Sequence, residues 1–347
     1  MGLKNILTIF EFYFLKTTMK IPKIFILSLF FLTSIVVKPQ ETLPIYSDYL
    51  SDNVYLVHPS AAGFTDCNRI RLTARSQWSG VDDAPSLQTI SYNSKFGEKA
   101  GLGFILFNDK NGYHSQQGIQ GTYAYHIDIG HIRNYRRLSF GLSFMMVNNS
   151  VDESTFEIAD PVISQIVLSE SYFNADVSMA YHDVDFFGYF TVKNVMLSAR
   201  NLYNKDYESL NLRRYLVSFG HYFDNFANGG SIELEPSVMI QYVERTKEKF
   251  VDFNMKIYSE STNAKIWAAL SYRRGFDNID TKQLSYITPI IGVNFEKYMF
   301  SYTYTKQSGE ILFDDAGYHQ ITLGFNFGCD SSRRYWNERS GKTNRMF

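Results

Sequence analysis

The chain has 347 residues, enough for two ordinary domains or one large β domain. With 34 Lys and Arg against 35 Asp and Glu the net charge is −1, which excludes a nucleic-acid binder built on bulk basicity, and 45% hydrophobic residues exclude a disordered chain. Two cysteines exclude a disulfide-dense scaffold and a four-cysteine zinc site, and a slightly negative mean hydropathy excludes a helical membrane bundle but not a β-barrel with a wet lumen.

Lys20 and Lys23 precede an apolar run over 24–37, broken only by Ser28, Thr33 and Ser34. A positive stretch ahead of an apolar one of this length is the pattern of a secretory signal. It falls short of the roughly 20 residues of a spanning helix; an uncleaved anchor is the alternative. Residues 1–40 are therefore expected to be a signal segment, with Met19 a more ordinary start than Met1. Cleavage is expected near 38–41, although no Ala-x-Ala site marks it. After residue 41 no long apolar run remains, so an exported chain held in a membrane would cross it without helices.

Strict alternation then recurs along the chain. Ile119, Gly121, Tyr123, Tyr125 and Ile127 alternate with Gln120, Thr122, Ala124 and His126. Phe173, Ala175, Val177, Met179 and Tyr181 do so with Asn174, Asp176, Ser178 and His182, and Val251, Phe253, Met255 and Ile257 with Asp252, Asn254 and Lys256. The last strong segment sets His319, Ile321, Leu323, Phe325 and Phe327 against Gln320, Thr322, Gly324 and Asn326. Weaker patterns cover 69–78, 85–94, 101–108, 138–147, 187–199, 213–222, 232–242, 264–273, 285–295 and 298–305. These spacings predict about fourteen strands, most near the 9–11 residues of a tilted membrane strand.

The connections tend to alternate in length. Long polar stretches are expected at 109–117, 148–171, 200–212, 274–284 and 306–317, and short ones at 95–100, 183–186, 259–263 and 296–297. This is the asymmetry of an outer-membrane barrel, and an even strand number puts both termini in the periplasm. The fold expected is an all-β, up-and-down antiparallel transmembrane barrel over 69–328, with a periplasmic segment 41–68 before it and a basic periplasmic tail 329–347 after it. A soluble sandwich would also alternate, but it explains neither so many strands nor the aromatics at strand ends.

The stretch 46–126 carries specific motifs. An aromatic lead, Tyr46-Ser47-Asp48-Tyr49, precedes His58-Pro59-Ser60-Ala61-Ala62-Gly63. Next comes Arg75-Ser76-Gln77-Trp78-Ser79-Gly80-Val81-Asp82-Asp83-Ala84-Pro85, followed by Gly101-Leu102-Gly103 and Asn108-Asp109-Lys110-Asn111-Gly112. In order and spacing these runs resemble the PorP/SprF family of outer-membrane proteins, found with type IX secretion and gliding motility in Bacteroidetes. His58 replaces the family's Asn, and Ser60-Ala61 its small–aromatic pair. The motif positions are Pro59, Gly63, Arg75, Gln77, Trp78, Gly80, Asp82, Ala84, Pro85, Gly101, Gly103, Asn108, Asp109, Lys110 and Gly112. The residues themselves read as a turn at Pro59 and Gly63, a stiff hairpin over 78–85 and a turn at 108–112, with partner contact as the other reading of the last two.

The resemblance implies a non-enzymatic component without cofactors, located in the outer membrane of a Gram-negative cell. It would hold the machinery or a large surface adhesin there, against outer-membrane lipids and periplasmic lipoproteins or motor components. A porin-like channel for small solutes is the alternative.

Enzymatic chemistry is sought and no motif is found. The His-x-Ser triplet His58-Pro59-Ser60 contains a proline and precedes the first strand, and no Gly-x-Ser-x-Gly, His-Glu-x-x-His or phosphate loop occurs. His126, His182 and His221 are expected to face the lumen, as are Arg69, Arg71 and Arg75, the arginines paired with wall or plug carboxylates. Cys67 precedes the first strand and Cys329 follows the last. In a closed barrel those strands are neighbours, so both thiols fall at one rim: a disulfide is one reading, and two unrelated thiols separated by register shear are the other.

Overall fold

The computed structural model describes residues 50–77, 84–129, 136–152, 154, 167–197, 211–224, 232–260, 264–276, 285–308, 317–329, 335–336 and 343–344. The signal segment, Trp78, Gly80, Asp82 and most of the C-terminal tail lie outside them.

Alternating β-branched, aromatic and small polar residues form fourteen long strands. These are β1 (Asn68–Gln77), β2 (Ser86–Phe96), β3 (Ala100–Asn111), β4 (His114–Ile129), β5 (Arg136–Asp152), β6 (Val167–Asp183) and β7 (Phe186–Lys193). They continue with β8 (Arg214–His221), β9 (Ile232–Val243), β10 (Lys249–Glu260), β11 (Ala264–Gly275), β12 (Ser285–Phe295), β13 (Tyr298–Ser308) and β14 (Gly317–Phe327). Each pairs antiparallel with its neighbours, and β1 closes on β14 in a register running from Asn68↔Phe327 to Gln77↔Tyr318. Closure leaves no sheet edge, the condition for a β structure to span lipid. A further two-residue pair, β15 (Tyr335–Trp336) with β16 (Thr343–Asn344), lies in the tail.

The wall is inverted relative to a soluble protein. Phe144 and Phe173 are 62% and 63% exposed, whereas Ser143, Asp176 and Thr191 are fully buried. Apolar side chains face outward where lipid solvates them, and polar ones face the lumen.

Several expected boundaries move. The stretch 109–117 is not a loop: β3 and β4 continue to a two-residue turn in which Gly112 takes φ +58°. Asn108, Asp109 and Lys110 are thus strand residues, and only Gly112 belongs to the turn. Strands β5 and β6 each run 17 residues and shorten the connection expected at 148–171. Strand β7 ends at Lys193 rather than 199, because side chains of β6 replace its partner there. The Asp176 carboxylate accepts from Asn194 N (2.8 Å), and Asn174 Oδ1 accepts from Met196 N (3.0 Å).

The segment expected as a periplasmic lead, 41–68, is corrected where it is described. Residues 50–67 lie inside the barrel, where two 3-10 turns, Val54–Leu56 and Pro59–Ala61, form a plug. Val54, Tyr55, Leu56, Val57, Ala61, Ala62 and Phe64 are all buried, a burial that a solvated lead would lack. At the end of the plug, Cys67 is disulfide-bonded to Cys329 beyond β14, with Cα atoms 4.2 Å apart.

Candidate functional site

The lumen is the chain's candidate site, and plug and wall build it together. Plug side chains bond strands around the ring. Asp52 lies 3.5 Å from Arg71 (β1), and Asn53 Nδ2 donates to Ser91 Oγ (β2, 3.0 Å). Tyr55 Oη donates to Thr122 Oγ1 (β4, 2.9 Å), and Ser60 meets Ser178 (β6, 2.8 Å). His58 is held at both ring nitrogens, by Thr191 (β7, 2.7 Å) and Ser218 (β8, 2.9 Å), and stacks on Tyr189 with centroids 4.7 Å apart. Burial of Tyr55 pushes its phenol far above the usual range, so it stays a neutral donor.

Irregular backbone inside a lumen still needs partners for its carbonyls. Wall cations supply them. Lys256 donates to Leu50 O (3.2 Å), Lys193 to Leu56 O (3.2 Å) and Arg137 to Phe64 O (3.3 Å). His126 Nε2 lies 3.0 Å from Ala62 O and therefore donates, which leaves Nδ1 to accept from Ser139 Oγ (2.8 Å). Arg137 is neutralised by Asp128 (2.6 Å).

Close packing completes the fit. A Cβ on Gly101 would overlap the Ala62 carbonyl, one on Gly103 the Tyr55 ring, and one on Gly141 the backbone at Pro59 and Ser60. Gly63 has φ +64° and sits against Ser94 and Gly101. Two separate sequence motifs, one ending at Gly63 and one beginning at Gly101, therefore meet in space. Gly141 and the hydroxyls of Thr191, Ser178 and Ser218 were not singled out by motif; small or hydroxylated residues at inward positions are their only sequence signal.

A small cavity lined by Leu50 lies beside the buried pair Arg273–Asp252, which is bidentate at 2.6 and 2.7 Å. Its volume is about 30 Å³, room for roughly one water. Arg75 also faces the lumen, 5.0 Å from the Tyr318 ring centroid, in one register row with Leu87 and Asp109. Gln77 N donates to Pro85 O (2.9 Å), which places Gln77, Ala84 and Pro85 at the base of the first hairpin. His182 is buried as expected. His221 is not: it follows Val217 and Phe219 on the outward face of β8 and packs on Phe223, because Ser218 and Gly220 take the inward positions.

His58 and Ser60, the one His-x-Ser triplet, bond different wall strands rather than each other. Among the described residues no three His, Cys, Asp or Glu converge as a metal site requires.

The chain is similar at the level of solved structures to a KdgM porin (9% identity, TM-score 0.34, 75% of this chain and 99% of that one) and to LpxR from Salmonella typhimurium (10%, 0.38, 75% and 100%). It is also similar to a bacterial polysaccharide outer membrane secretin (7%, 0.41, 76% and 99%). Comparison with curated proteins finds no match. The model of the PorP/SprF type IX secretion system membrane proteins matches residues 39–325, from the approach to the plug into the last strand. With a closed fourteen-stranded wall and motif glycines meeting around a lumenal plug, the chain belongs to the PorP/SprF family of outer-membrane proteins of type IX secretion.

Proposed function

We propose that this barrel is a non-conducting, non-enzymatic scaffold that holds the secretion machinery, or its surface adhesin cargo, at the outer membrane. One observation carries the reading: the plug 50–67 is bonded to strands on all sides of the lumen and continues into the disulfide that joins the two ends of the wall. A solute channel would have to move or bypass a segment held this way.

In this reading both termini face the periplasm. The tail, with Arg333, Arg334, Arg339, Lys342 and Arg345 against Asp330 and Glu338, meets an acidic face of a periplasmic lipoprotein or motor component. Purified protein in a planar bilayer tests the scaffold, with silence expected and steady conductance overturning it. Deleting 331–347 should leave a folded barrel that no longer recovers periplasmic partners from native membranes. Unchanged recovery would remove the tail from the reading.

A further inference from the structure

The turn from β9 to β10 reads Glu244-Arg245-Thr246-Lys247-Glu248-Lys249, and its two signs of charge are arranged differently. Both carboxylates are engaged. Glu244 accepts from Tyr215 (2.8 Å) and Asn211 (2.9 Å) and lies 3.5 Å from Arg213, while the buried Glu248 accepts from Thr246 Oγ1 (2.8 Å). Arg245, Lys247 and Lys249 are exposed, and among the described residues none of them forms an ion pair.

Lys306 of β13 is exposed on the same outward face, toward the same rim, opposite Ile287 of β12. Lys306 shares its register row with Ile287, Tyr272 and Phe253, four residues along β10 from Lys249, so three strand spacings of about 4.8 Å and a rise of about 3.3 Å per residue put roughly 19 Å between the Lys249 and Lys306 backbones. Arg274 of β11 stands between them over Phe276, 5.7 Å from its ring centroid. The same face is apolar beside and beyond these cations: Phe253, Tyr272 and Ile287 are exposed in the register row of Lys306, and Met255 and Leu270 are exposed further along their strands. Cations placed at the end of a lipid-facing apolar strip match a ligand that carries phosphate and acyl chains in one molecule. An acidic protein docking on the loops would use the cations without reaching the lipid-facing strip beside them.

We propose that this face binds a phosphorylated glycolipid of the outer leaflet, one phosphate held by Lys247 and Lys249, another by Lys306, and its acyl chains lying along β10–β12. The leaflet rests on the orientation proposed above, with the termini in the periplasm.

The test uses the full chain purified in detergent, with rough-type lipopolysaccharide and its dephosphorylated form as probes and retention read by native mass spectrometry. Wild type should retain the phosphorylated lipid at least fivefold better than the Lys247→Gln/Lys249→Gln/Lys306→Gln variant, whose intact barrel is verified by its heat-dependent gel shift. Lys110→Gln, on β3, should bind like wild type. Equal retention by wild type and the triple variant overturns the site. So does equal retention of the dephosphorylated lipid, or capture of an acidic protein that the triple variant loses. Orientation is read separately with a membrane-impermeant maleimide on Lys247→Cys. Labelling in intact cells supports the leaflet, and labelling only after permeabilisation overturns the orientation without touching the retention result.

Discussion

Gly63 of the plug and Gly101 of β3 lie backbone against backbone, so that a Cβ on either would overlap the other's main chain or its immediate neighbour's. Gly63 is further confined by its φ of +64°, which few side-chain-bearing residues adopt. A larger residue at 101 would therefore have to push the plug off the wall. Gly101→Val is expected to cost at least the 1–3 kcal/mol or so typical of overpacking, seen as a lower temperature for the heat-dependent gel shift. It should also produce bilayer conductance where the proposed scaffold role leaves wild type silent. A variant with wild-type transition temperature and no conductance would refute the close contact.

His58 holds two hydroxyls from adjacent strands, Thr191 and Ser218. His58→Ala would leave the Ser218 hydroxyl without its side-chain partner in a buried site, at about 1–3 kcal/mol, whereas Thr191 keeps its bond to Ser178 (2.8 Å). Gln or Asn at this position can retain one of the bonds, so His58→Asn should fall between Ala and wild type. Thermal gel-shift curves of the three proteins measure the order, and Ala matching wild type would reject it.

Cys67 and Cys329 should both resist alkylation in native outer membranes until a reductant is added. The bond spans a sequence separation of 262, and in the chain-entropy model such a closure contributes up to about 5.6 kcal/mol. Cys67→Ser/Cys329→Ser should still form a barrel, because the β1–β14 ladder is independent of the thiols. Its refolding from urea should require a lower denaturant concentration. Two reactive thiols in unreduced native membranes would count against the bond.

Glu244, in the turn beyond β9, is held below the usual carboxylate range, chiefly by the Tyr215 hydroxyl, then by the Asn211 amide, with Arg213 adding to them. Its folded pKa lies below its unfolded one, so its contribution is full above the unfolded value of about 4.3 and is lost as pH falls through the folded pKa. Wild type should therefore lose stability relative to Glu244→Gln as acid is added below about pH 4. Parallel acid-unfolding curves of the two proteins would contradict this assignment.

Much of the wall was legible in the sequence, because a strand in lipid has one apolar and one polar face and the side chains alternate strictly. Ile119 through Ile127 announce both the strand and its orientation, and β12 keeps its expected bounds of 285–295. Legibility failed where polar strand continues beyond the lipid. At 109–117 and 148–171 polar residues looked like loop, yet ladder hydrogen bonds carry β3 and β4 across the first but for a two-residue turn and β5 and β6 into both ends of the second. His221 was misplaced because its polarity suggested the lumen, whereas the phase of β8 assigns that face to Ser218 and Gly220.

The sequence by itself determined an exported, strand-crossing chain, the approximate strand set, the family motifs and a pair of cysteines flanking the wall. Only the tertiary structure decided that 50–67 fills the lumen. Nothing local distinguishes a plug from a solvated lead: Tyr55, His58 and Ser60 acquire their partners from β4, β6, β7 and β8, far along the chain. The reason for Gly101, Gly103 and Gly141 has the same origin, since the space that each leaves is taken by backbone or rings that closure of the barrel brings against it.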